Sequence, residues 1–192
     1  MQFTLDTNCW IAIEERREPE ATAVRTLCEA HAKGTTHVSV VAISASEKQP
    51  RGGYIQNFQR FRARLAALGL AHLDILRPMA YWDITFWESS LWADPKMEAL
   101  ERQIHLILFP NVQFSWEDYC RANGLDPASA PTGRWRNYKC NVQSIWTHIY
   151  NKKDVFVTSD EDFHTAAKKQ ALIGLGANRI VYPCEAVSLL PR

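Results

Sequence analysis

Four carboxylates stand where a wound sheet could bring them together. Asp6 closes the alternating run Phe3-Thr4-Leu5. Glu47 follows the apolar, β-branched stretch 37–43 by a few residues. Asp160 and Asp162 come just after Asp154-Val155-Phe156-Val157-Thr158. Ligands of open parallel sheets collect at the carboxyl ends of the strands, so three strand ends would each deliver an acid to one rim. Converging like charges repel, and such a cluster needs a bound cation or raised pKa values. Hard oxygen donors of this kind suit Mg²⁺ or Mn²⁺.

The elements that must position these acids are legible at both ends of the chain. Residues 3–5 read as a strand, with Thr7 or Asn8 capping a helix that continues through Cys9, Trp10 and Ile13. A second helix is expected over 20–33, with Val24, Leu27 and Cys28 on one face and Gly34 as its stop. Residues 37–43 suit a buried parallel strand. The stretch 44–53 breaks regularity at Pro50, Gly52 and Gly53. Tyr54, Phe58, Phe61, Leu65 and Leu68 make the stripe of an amphipathic helix over 54–68, and 73–76 is a third strand. Val142, Ile145, Trp146 and Ile149 place a helix over 141–150, ahead of strand 154–158, helix 163–174 and strand 179–182. Short apolar strands alternating with helices predict an α/β fold: a three-layer α/β/α sandwich around a mostly parallel sheet. One domain is expected over 1–192, with a helical or irregular insertion at about 79–135, rich in Trp and Pro.

Composition narrows the class. The 192 residues carry 22 Lys plus Arg against 21 Asp plus Glu, a formal net charge of +1, which excludes a histone-like protein and an acidic tail. The balance hides blocks. Residues 48–73 hold five basic residues and no acid, 81–101 five acids and one lysine, 134–153 five basic residues and no acid. Blocks of this kind set up local fields that a net charge conceals. No apolar run reaches the roughly 18 residues of a membrane helix, and no signal-like start is seen. The five cysteines, at 9, 28, 120, 140 and 184, show no C-x-x-C spacing and suggest reduced thiols in a cytoplasmic protein.

Three segments together resemble the PIN-domain family: Phe3-Thr4-Leu5-Asp6-Thr7-Asn8, then Val38-Ser39-Val40-Val41 with Glu47, then 154–163 with its Val-Thr-Ser-Asp-Glu-Asp-Phe. The resemblance covers about 1–50 and 137–185. It implies an α/β/α nuclease fold, and many members are metal-dependent ribonucleases, among them the toxins of toxin–antitoxin pairs. Carried over by position, Asp6, Glu47 and Asp160 would hold Mg²⁺ or Mn²⁺, with Asp162 as an auxiliary acid. Thr7, Asn8, Thr158 and Ser159 would hydrogen-bond the acids or the scissile phosphate. The family's third acid, near the start of the helix before the Val-Thr-Ser-Asp strand, is matched here by Asn141, 19 residues before Asp160. Asparagine is neutral and offers one carbonyl oxygen, so activity would be weakened or silenced there unless Asp162 or Asp83 compensates. Read without the family, Asn141 is a helix N-cap.

An RNA surface is expected from two groups, Arg51, Arg60, Arg62 and Arg64, and Arg134, Trp135, Arg136, Tyr138 and Lys139. Arginine forks match phosphates and aromatic rings stack on single-stranded bases. Trp10, Trp82 and Trp146 are assigned to the core, and His148 to a structural role on the polar edge of its helix. The leading expectation is a divalent-metal-dependent endoribonuclease acting on single-stranded RNA. The alternative is a catalytically silent PIN-like module that binds RNA or protein, and a phosphatase or DNA nuclease is a weaker third. An antitoxin protein and a homodimer through exposed aromatic residues in 79–120 are the partners implied, with no membrane.

Overall fold

The computed structural model describes residues 1–46, 57–131 and 133–191. Glu47, Arg51 and the first turn expected of helix 54–68 lie outside the described residues. The fold is α/β. Strands β1 (Gln2–Leu5), β2 (His37–Val41), β3 (Asp74–Leu76), β4 (Val155–Val157) and β5 (Arg179–Val181) form one sheet in the order β3-β2-β1-β4-β5. Every pairing is parallel.

The period-2 pattern divides the sheet into two faces. Phe3, Leu5, Val38, Val40, Val155 and Val157 share one buried cluster. It is covered by α1 (Thr7–Glu15), α2 (Glu20–Ala32) and α3 (Phe58–Ala67), through Trp10, Ile13, Val24, Leu27, Phe61 and Leu65. The opposite face carries Phe156 and Ile180 against α6 (Gly133–Tyr150). There Val142, Ile145, Trp146 and Ile149 form the expected stripe, each worth roughly 1.5–3 kcal/mol when fully buried. α4 (Pro95–Leu108) packs on α6 through Met97, Ile104 and Leu108. Asp94 caps α4 by accepting from the amides of Lys96 and Met97, and Pro95 suits the first turn. α5 (Trp116–Asn123) ends at Gly124, whose φ of 66° is the left-handed conformation of a helix stop. α7 (Ala166–Leu172) and α8 (Pro183–Val187) complete the described helices.

Several boundaries differ from the sequence reading, and two of them bear on the site. β2 ends at Val41, and Ala42–Ser46 is a 3₁₀ turn instead of more strand. α6 begins at Gly133, eight residues before the expected start. Its first two turns carry Arg134, Arg136 and Lys139, which hide any apolar period, yet Arg136 and Lys139 are buried by tertiary partners. Asn141 therefore sits inside an 18-residue helix and is not an N-cap.

Candidate acidic site at the sheet switch point

From β1 the chain winds to β2 and β3 on one side, then returns to β4 and β5 on the other. The crevice between the carboxyl ends of β1 and β4 is therefore the topological switch point, where open α/β sheets bind ligands. Register places Leu5 beside Val157, and the Asp6 amide donates to the Val157 carbonyl at 3.0 Å. Asp6 and Thr158 thus meet directly past the strand ends.

Asp6 occupies the N-cap position of α1 but makes no side-chain cap, against the capping reading. Its carboxylate turns into the crevice instead and is 3% exposed. Oδ1 accepts from Ser144 Oγ at 2.8 Å. Oδ2 accepts from Thr158 Oγ1 at 2.7 Å and Asn8 Nδ2 at 3.0 Å. Thr158 Oγ1 also receives Asn8 Nδ2 at 3.0 Å and the Asp160 amide at 3.1 Å. With both lone pairs engaged, the Thr158 proton can only go to Asp6. Asn8 closes the frame by accepting the Ser159 amide at 2.9 Å. Asn8, Thr158 and Ser159 are therefore assembled around Asp6 as expected, while Thr7 turns to Ser44, donating Oγ1 to Oγ at 2.7 Å.

Asp160 stands at the end of the same loop. Its Oδ1 accepts the Asp162 amide at 2.9 Å and its Oδ2 accepts Asn141 Nδ2 at 2.8 Å. Asn141 and Ser144 lie three residues apart on α6, one turn, so a single helix face reaches both acids. His148 continues that face and is fully buried, with Nδ1 3.0 Å from Thr4 Oγ1 and Nε2 3.0 Å from the Ala177 carbonyl. Its role is structural, as expected, but its polar face is buried against the sheet instead of lying open. Ser144 escaped the sequence reading. Its signal is the polar series Asn141, Ser144, His148, the complement of the apolar stripe.

Burial pushes the Asp6 carboxyl pKa up, the Thr158 and Ser144 hydroxyls partly offset this, and the Asp160 charge raises it further. Burial also holds the His148 imidazole down at about 4, so it is neutral at pH 7. Asp162 is turned outward to Lys168 at 2.8 Å. Asp83 is exposed, with φ at 57°, and its carbonyl receives Arg136 Nη1 at 2.6 Å.

The expected RNA surface is largely dismantled. Trp135, Arg136 and Lys139 are buried, and Arg134 alone of that group's cations is exposed. Arg136 Nε donates to the Ser46 carbonyl at 2.8 Å. Lys139 Nζ lies 2.9 Å from Glu101 Oε1 and 3.2 Å from Tyr81 Oη. Burial lowers the Lys139 pKa and Glu101 counters it. Of the first group, Arg60 and Arg62 are exposed, while Arg64 forks onto Glu14 and covers the Trp10 ring at 4.7 Å. Trp10 and Trp146 are core, but Trp82 is 76% exposed, a correction to its core assignment.

Among the described residues no three His, Cys, Asp or Glu side chains are grouped to hold a metal ion. Asp6 and Asp160 still fit a hard cation. Both are oxygen donors, and the Asp160 charge raises the cost of ionising Asp6. Turning the Asn141 amide would add a carbonyl oxygen. The chain matches no protein-family model, and neither a curated protein nor a solved structure matches it. No helix among the described residues is long and apolar enough to cross a membrane.

Proposed function

We propose that the chain is a PIN-like, divalent-metal-dependent endoribonuclease whose activity is attenuated by Asn141. The observation that supports this reading is that Asp6 and Asp160 both lie just past the ends of β1 and β4, near enough for the Asp160 charge to raise the Asp6 pKa, with no cationic side chain among their hydrogen-bond partners in the described residues. An Mg²⁺ or Mn²⁺ ion would supply a Lewis acid that neutralises phosphodiester charge and acidifies a water. The protein's own part is positional. Ser144, Thr158 and Asn8 fix both oxygens of Asp6, and the Thr7 amide holds the carboxylate as well. The Asp162 amide and Asn141 do the same for Asp160. Cleavage of single-stranded RNA with Mn²⁺ tests the reading. Asp6→Asn is expected to abolish cutting and Asn141→Asp to raise it at least tenfold. A chain whose cutting is insensitive to both substitutions is not using this site.

Asn141 itself favours a second reading. Its amide donates to Asp160 and satisfies the carboxylate without a metal, so a non-cutting module that binds RNA or a partner protein is compatible with the same site. RNA binding that persists with EDTA, with no cutting by either wild type or Asn141→Asp, selects this module.

A further inference from the structure

A cavity of about 340 Å³, small for a ligand site, opens among residues 81–84, 114–116, 127–129, 131 and 135. Tyr81, Trp82, Phe114, Trp116 and Trp135 line it, and Asp83 stands in its wall. Trp116 and Trp135 lie 5.4 Å apart at 53°, and Trp116 Nε1 donates to the Ser129 carbonyl at 2.8 Å, which ties the 126–131 turn to the wall. Three of these rings, Phe114, Tyr81 and Trp135, have one property that bears on the ligand. The Lys139 ammonium, which is not part of the lining, already lies 4.0 Å from the centre of Phe114, 4.6 Å from Tyr81 and 5.3 Å from Trp135. A cation on a ring draws its π density, so these rings attract a second cation poorly and an electron-rich planar ring well. Asp83 then suits N–H donors on the edge of that ring.

The cavity is connected to the acids through hydrogen bonds. Thr7, next to Asp6, bonds Ser44. Two residues on, Ser46 bonds the Ile84 carbonyl with its hydroxyl and receives Arg136 with its own carbonyl, and Arg136 in turn holds the Asp83 carbonyl. Ser44 and Ser46 share one 3₁₀ turn, a separation of only about 4 Å along its axis. Ser44 and Ser46 thus tie the Asp6 end of the crevice and the aromatic wall into one framework.

We infer that this cavity is a nucleobase pocket, taking a base with N–H donors from single-stranded RNA that lies along the acidic crevice. The RNA source rests on the nuclease reading above; the base chemistry rests on the rings alone. Guanosine, adenosine and tetramethylammonium are titrated calorimetrically into the metal-free protein with EDTA. The same titrations are made on Trp82→Ala, Trp116→Ala, Trp116→Phe and Asp6→Asn. A saturable nucleoside signal is expected, at least tenfold weaker in both alanine variants, largely restored in Trp116→Phe and unchanged in Asp6→Asn. No nucleoside binding, binding by both alanine variants as tight as by wild type, or preference for tetramethylammonium overturns the pocket. A short RNA and its abasic counterpart separate the sources: tighter binding of the base-bearing strand supports RNA, and equal affinity overturns that source. Nucleoside binding in a chain that cuts no RNA with Mn²⁺ leaves the pocket standing and the nuclease reading fallen.

Discussion

Two buried charged networks hang from the same helix, α6, and they are built on opposite rules. Near its start, Lys139 is matched by Glu101, with Gln143 Nε2 and Tyr81 Oη completing the carboxylate at 3.0 and 2.8 Å and rings flanking the ammonium. Charge is balanced there and every partner is found within the protein. Further along the helix, Asn141 and Ser144 meet Asp160 and Asp6 with neutral donors, and among the described residues no cation bonds either acid. In the first network removal of one partner strands the other; in the second, the proposed cation would supply the missing compensation.

Breaking the balanced network should have the largest effect on stability. Lys139→Met strands the Glu101 carboxylate and is expected to cost roughly 3–5 kcal/mol in urea unfolding. Adding Glu101→Leu should recover most of that. A loss no greater in Lys139→Met than in the double variant would mean that the pair is not coupled.

The next effect is pH-dependent and belongs to His148, which links α6 to β1. Its pKa in the fold is lowered from the ordinary histidine value near 6.5 to about 4 by burial. The unfolded chain therefore takes up a proton first as pH falls. Stability from the neutral imidazole is present above about pH 6.5 and is lost progressively toward pH 4, by about 3 kcal/mol. His148→Gln should flatten that part of the stability–pH curve relative to wild type, whatever its own stability. An unchanged slope would show that His148 titrates normally in the fold.

Ser144→Ala removes a hydroxyl from a buried carboxylate and should cost about 1–2 kcal/mol at neutral pH. The loss should shrink as acid protonates Asp6, whose pKa is raised, because the neutral acid depends less on that donor. The smallest effect is expected at Lys168→Ala, which breaks the partly exposed pair with Asp162 and should change stability by less than about 1 kcal/mol. A larger loss there would tie Asp162 to the acidic site.

Legibility obeys the same division. The strands, Asp6 and Asp160 could be read because a parallel sheet needs apolar runs and delivers the residues just beyond them to one rim. The grouping of Asn8, Thr158 and Ser159 around Asp6 came with the motif. The burial of Arg136 and Lys139 could not be read, because a cation buried by a distant Glu101 or by the carbonyls of Ser46 and Asp83 looks locally identical to a solvated one. The start of α6 was missed for that reason. Trp82 was misplaced because a tryptophan's type says nothing of whether a neighbouring element covers it. Ser144 was hidden because the polar face of a helix is ordinarily the wet one, whereas here the polar face of α6 looks into the sheet.

Among the described residues no cation bonds Asp6 or Asp160, and on this account the crevice takes one from solution. Calorimetric titration of Mn²⁺ into wild type, Asn141→Asp and Asp160→Asn tests it without any substrate. Saturable binding is expected in wild type, at least tenfold tighter in Asn141→Asp and absent in Asp160→Asn. No heat in wild type or in Asn141→Asp, or binding undisturbed by Asp160→Asn, contradicts it.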